Sequence, residues 1–66
     1  GKGTYRHFGQ EFVLVLKGSI EISLNDITYV LRKGDSIYFN SSVPHSFRNT
    51  GKGEAEAIWV VTPPTF

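Results

Sequence analysis

Five consecutive apolar residues, Phe12 to Leu16 in "FVLVL", restrict what this chain can fold into more than any other stretch of it. The run is short, rich in β-branched and aromatic side chains and closed by Gly18-Ser19, which predicts a strand rather than a helix. Successive side chains of a strand point to opposite faces, so Phe12, Leu14 and Leu16 lie on one side and Val13 and Val15 on the other. Both sides are apolar, and both must therefore be covered. A layered or closed β-structure covers one of them; the other needs a second subunit or a further segment of chain.

The remaining sequence repeats the theme without a helical period. Ile20, Ile22 and Leu24 alternate with Glu21 and Ser23, and Asn25-Asp26 makes a tight two-residue turn. Ile27, Tyr29 and Leu31 resume the alternation, "RKGD" (Arg32 to Asp35) turns the chain, and Ser36 to Phe39 is a short strand. After the loop "NSSVP" the chain is extended over His45 to Asn49, turns at "TGKGE", and runs as a last strand from Ala55 to Thr62 before "PPTF". Such short strands, so punctuated, predict an all-β sandwich or small barrel. No internal repeat, linker or low-complexity block divides residues 1–66, which read as a single domain.

At 66 residues such a domain sits near the size where one apolar core barely offsets chain entropy. The absence of cysteine removes disulfides and thiolate metal sites as staples, leaving a metal, a partner subunit or a larger parent chain. It also fits a cytoplasmic location. Seven basic residues, scattered among six acidic ones, form no electrostatic footprint for nucleic acid or an acidic membrane. The longest apolar run is far too short to span a bilayer as a helix. The chain starts at Gly1 rather than Met, and the expectation is of a C-terminal fragment of a longer protein.

An ionisable cluster stands at the entrance to the apolar strand. If the segment from Thr4 to Leu16 is extended, Tyr5, His7, Glu11, Val13 and Val15 share the inward face, with a bulge near Gly9 able to break that parity. Burying an imidazole and a carboxylate costs several kcal/mol unless they are paired, hydrogen-bonded or bound to a metal. With His45 after Pro44, the chain offers two histidines and a carboxylate, a donor set suited to divalent transition metals. The residues equally allow a bland reading: His7 and Glu11 as a partly exposed, hydrogen-bonded pair, and His45 as an exposed turn histidine. Trp59, Tyr38, Phe39 and Phe47 read first as core and second as pocket wall. Gly18 and Gly34 read as turn residues needing positive φ, Asp35 as a turn cap, and Asn49 as a residue that orders backbone.

"HFGQEFVLVLKG" resembles the first motif of the cupin family through His7, Glu11 and Gly18, and "GDSIYFNSSVPHSFRN" resembles the second through Gly34, His45 and Asn49. The resemblance implies a cupin-type double-stranded β-helix, or jelly-roll barrel, lacking its first strand or two in this fragment. It implies a ligand pocket at the open end holding Tyr5, His7, Glu11 and His45, with His7, Glu11 and His45 as ligands of a divalent metal (Zn, Fe, Mn or Ni). Two departures stand out: Tyr5 occupies the place of the motif's first His, and Asn40 and Ser42 replace the usual Pro and Gly.

"PHSFRNTG" followed by "VVTPPTF" further resembles the carboxyl end of bacterial helix-turn-helix regulators with a cupin sensor, including the polyamine-utilisation repressors. The function this implies is binding of a small-molecule effector by a homodimeric sensor domain, with DNA contacted through a helix-turn-helix domain upstream. The competing expectation is a small metal-dependent cupin enzyme, an oxygenase or isomerase. Tyr5 in a ligand position leans against it.

Overall fold

A computed structural model of the chain describes residues 9–63. The described residues form six strands: β1 (Gln10–Lys17), β2 (Ser19–Leu24), β3 (Ile27–Arg32), β4 (Ser36–Asn40), β5 (His45–Asn49) and β6 (Glu56–Thr62). They build two antiparallel sheets, ordered β4-β1-β6 and β3-β2-β5. The predicted all-β class is what the structure has, and each predicted strand falls within two residues of an observed one. Tyr5 and His7 lie outside the described residues.

The apolar run of β1 is the central strand of the first sheet, between β4 and β6. Its alternation holds as read. Glu11, Val13 and Val15 are buried, Phe12 and Leu16 are exposed, and Leu14 is half-buried. On the facing sheet β2 sends Ile20 and Ile22 inward, and two clusters fill the space between the layers. Val13, Ile22 and Phe39 form one; Val15, Ile20 and Leu31 form the other. Val13 and Ile22 have no exposed surface at all, and each such burial stabilises the fold by about 1.5–3 kcal/mol.

The turns follow local chemistry. Asn25 takes a positive φ of 55° in the β2–β3 hairpin, a conformation Asn tolerates better than most residues. Asp35 accepts a hydrogen bond from Arg32 N at 2.8 Å, closing the turn into β4. At the β1–β2 joint Gly18 has φ 72°, and a Cβ there would lie 2.5 Å from the Glu54 carbonyl oxygen, so turn and packing both require glycine.

One expectation needs correcting. Ile27, Tyr29 and Leu31 alternate as predicted, but of the three only Leu31 is buried. β3 is an edge strand, and the opposite sheet covers only its far end among the described residues. Tyr38 and Phe47, read first as core, are also corrected: Tyr38 faces outward on β4 and Phe47 lies on β5, whose residues after His45 are all exposed, and both are among the most exposed large side chains.

Candidate functional site

Glu11 lies near the end of β1, opposite Phe39 on β4 and Val61 on β6. Only 5% of its surface is exposed, so each carboxylate oxygen needs a partner. Trp59, on β6, donates its indole N–H to Glu11 Oε1 at 2.8 Å. The second oxygen, Oε2, faces His45 Nε2 at 3.5 Å across the gap between the sheets. The structure thus brings together Glu11 and His45, two of the residues singled out from sequence, and adds Trp59, which reads first as core. The site signal for Trp59 was faint: its odd position in a strand alternating with Ile58 and Val60 marks an inward side chain, but core and pocket wall share that mark.

The other ring nitrogen of His45 decides what the pair can do. Nδ1 lies 2.7 Å from the Val43 carbonyl oxygen, which can only accept, so Nδ1 carries the proton of that contact. The neutral ring then turns the Nε2 lone pair toward a carboxylate. Two acceptors facing each other repel unless positive charge sits between them, either as a second ring proton or as a bound cation.

The loop before β5 fixes this orientation. Val43 N donates to Asn40 O, and Pro44 O accepts from Asn25 N at 2.9 Å, tying the loop to the β2–β3 turn. A depression of about 200 Å³ opens there, lined by Ser23, Asn25, Pro44, His45 and Ser46.

Aromatic rings wall the pair. Phe39 and His45 stand 5.2 Å apart between ring centres, and Phe47 and Trp59 4.4 Å apart, both tilted. Ser41 adds a polar group the sequence did not suggest. It follows Asn40, the last paired residue of the β1–β4 ladder, and donates its N–H to Gly9 O. Its buried hydroxyl has no hydrogen-bond partner among the described residues. Asn49 stands apart from the pair. It accepts from Gly51 N and donates to Gly53 O, ordering the β5–β6 loop, and on the β2 ladder it pairs with Ile20 while His45 pairs with Leu24.

A two-layer all-β fold with a Glu and a His meeting between its sheets defines a class, and the comparison with known families agrees. The Cupin domain family matches residues 1–61, and the chain belongs to it. Among individual proteins, it is 41% identical over 61 residues to the HTH-type transcriptional regulator PuuR of Escherichia coli (strain K12), covering 92% of this chain and 33% of that protein. It is 37% identical over 59 residues to Protein SchB of Streptomyces halstedii, covering 89% of this chain and 43% of the relative. Polyketide synthase CurC of Streptomyces cyaneus is 32% identical over 59 residues, 89% of this chain and 38% of its own length. The chain therefore spans less than half the length of these three curated relatives. No solved structure matches it. No helix among the described residues is long and apolar enough to cross a membrane.

Proposed function

We propose that this chain is the effector-sensing cupin domain of a transcriptional regulator and that its ligand presents positive charge to Glu11 and His45. The observation that carries the reading is the convergence of Glu11 Oε2 and His45 Nε2, with the remaining atom of each side chain already committed to Trp59 and Val43. A divalent transition metal or the protonated nitrogen of an organic effector satisfies both acceptors. Among the described residues Glu11 and His45 are two donors and no group of three candidate ligands forms; their 3.5 Å separation is close to that of two donors on a tetrahedral ion with bonds of about 2 Å. The sequence resemblance names His7 as a third donor and Tyr5 as a further ligand-binding residue, and both lie outside the described residues.

A metal bound here would supply a Lewis-acid point for an oxygen of the effector. The chain's own residues do the rest. Trp59 fixes the carboxylate, Val43 fixes the ring, Phe39 walls off water beside His45, and Ser41 offers a hydroxyl to a ligand group. The similarity to an HTH-type transcriptional regulator supports DNA contact through another domain, and a net charge of +1 here fits that division of labour. In a paired, cytoplasmic regulator, ligand binding would bias one arrangement of the two copies, a coupling free energy between sites.

The test is titration of the chain with divalent metal salts and with organic amines, followed by fluorescence of its single tryptophan, Trp59. Saturable binding that is lost in Glu11→Gln is expected. If neither class of cation perturbs Trp59, or if the Glu11→Gln variant binds as well, the reading fails.

The similarity to polyketide synthase CurC favours a second reading, a small metal-dependent cupin enzyme. Consumption of a bound small molecule by the metal-loaded chain would support it, whereas an effector-dependent change in DNA affinity of the natural regulator supports the first.

A further inference from the structure

Ser41 carries a hydroxyl that the fold buries and leaves unused. Buried hydroxyls are nearly always paired, because an unpaired one gives up its bonds to water and receives nothing in return. Yet the Ser41 residue is only 5% exposed, and its Oγ has no partner among the described residues. Strand parity says where this hydroxyl stands. On the β1–β4 ladder Glu11 is opposite Phe39 and Gln10 opposite Asn40, and the next residue, Ser41, donates its N–H to Gly9 O. Phe39 is buried, Asn40 exposed and Ser41 buried, so Ser41 returns to the inner face that carries Glu11. Glu11 and Ser41 are then diagonal neighbours, a relation that sets Cα atoms about 7–8 Å apart. β1 supplies no side chain to answer the hydroxyl. The residue across from Ser41 is Gly9, where φ is 148° and an added Cβ would collide with the Thr62 carbonyl, so the position is confined to glycine.

Resting on the cation-binding reading above, we infer that Ser41 is a specificity-determining residue and that the effector carries a neutral oxygen, a hydroxyl or a carbonyl, on the carbon next to the one that bears its positive nitrogen. Ser41 and Glu11 are equally buried, at 5% exposure each, so a ligand that brings charge to Glu11 has the depth to meet Ser41 as well. Glu11 Oε1 is taken by Trp59 and His45 Nδ1 by Val43. Oε2 and Nε2 are left to hold the charge, and the Ser41 hydroxyl is left for a second group of the same molecule. Buried Phe39, which precedes Ser41 on the inner face of β4, makes those surroundings apolar. A second charge would be costly there with only a hydroxyl to face it, whereas a neutral oxygen exchanges one hydrogen bond with serine at little cost. The short diagonal span, with both side chains reaching inward along it, suits a nitrogen and an oxygen on adjacent carbons. The ligand class is therefore the vicinal amino alcohols and α-amino carbonyl compounds.

Ethanolamine and propylamine test this, because they share one shape and differ in a hydroxyl against a methyl group. Each is titrated into the chain with Trp59 fluorescence as the readout. The wild-type chain is expected to prefer ethanolamine by about tenfold or more, since a methyl group beside Ser41 leaves the serine hydroxyl unpaired. Ser41→Ala is expected to abolish or reverse that preference while propylamine binds as before. Without ligand, the same substitution is expected to raise the urea midpoint at unchanged slope, because it deletes a buried polar group that nothing satisfies. That gain is what a structural hydroxyl would not show, since removing a satisfied partner lowers stability. Equal affinity of the wild type for the two amines overturns the inference, as does a Ser41→Ala variant that keeps the preference or is less stable than the wild type. Glu11→Gln separates this failure from failure of the cation site. If the wild type binds both amines equally and Glu11→Gln binds neither, the cation site stands and the role of Ser41 falls. If neither amine binds the wild type, the role of Ser41 falls as well, and the titration with divalent metal salts then decides the cation site.

Discussion

Glu11 is held by three residues far from it in sequence or in the fold's other layer, Trp59, His45 and, through the ring of His45, Val43, and each makes a separable contribution. Trp59 is 48 positions away, and its indole N–H is the hydrogen-bond donor to Oε1. Trp59→Phe keeps the ring and removes that donor, so a buried acceptor is left unpaired at a cost of about 1–3 kcal/mol, measurable as a lower urea midpoint with unchanged slope. His45→Gln is expected to keep much of the packing beside Phe39 but to place an amide where an imidazole nitrogen stood. Its prediction is weakened metal binding in the same fluorescence titration, with circular dichroism unchanged. The inward direction of Glu11 was legible because period-two alternation ties it to Val13 and Val15. The partnership with Trp59 was not, because a hydrogen bond between neighbouring strands depends on register, and sequence alone does not reveal which residue of β6 stands beside β1. Ser41 was invisible for a related reason: its burial comes from the neighbouring strands rather than from any pattern around it.

At the level of the strands, local chemistry carried most of the information. Turn residues marked the ends of each strand, and alternation marked the inward faces of β1 and β2, which are buried where the pattern puts them. β3 departs from its pattern because alternation reports which face a side chain occupies, not whether anything lies opposite. Ile22→Ala and Ile27→Ala test this difference. The first removes a fully buried side chain and should cost about 2–5 kcal/mol in urea unfolding; the second, more than half exposed, should cost well under half as much. Gly18→Ala adds a methyl group where φ is positive and a carbonyl is close, so it should destabilise by more than the ~1 kcal/mol that separates Ala from Gly elsewhere.

Across the whole molecule, the two-layer class was readable from strand lengths, but the neighbours within each layer were not. The order β4-β1-β6 joins strands distant in the chain, and nothing in the composition of β4 or β6 says they flank β1. A domain this small has little stability to spare, so ligand binding should be visible as heat resistance. A cation at about 100 times its dissociation constant adds about 2.7 kcal/mol, equivalent to a rise in Tm of roughly 10–20 °C for a domain of this length, and a thermal shift assay with and without chelator reads it. β1 carries one further consequence. Its odd residues serve the interior and its even residues the outer face, so one residue inserted between Glu11 and Val13 would put the two out of step. With Val13 held in the core, the carboxylate would turn to the outside. Length in this segment is consequently fixed by parity, and variation around the site has substitution as its open route, with insertions relegated to the loops between strands.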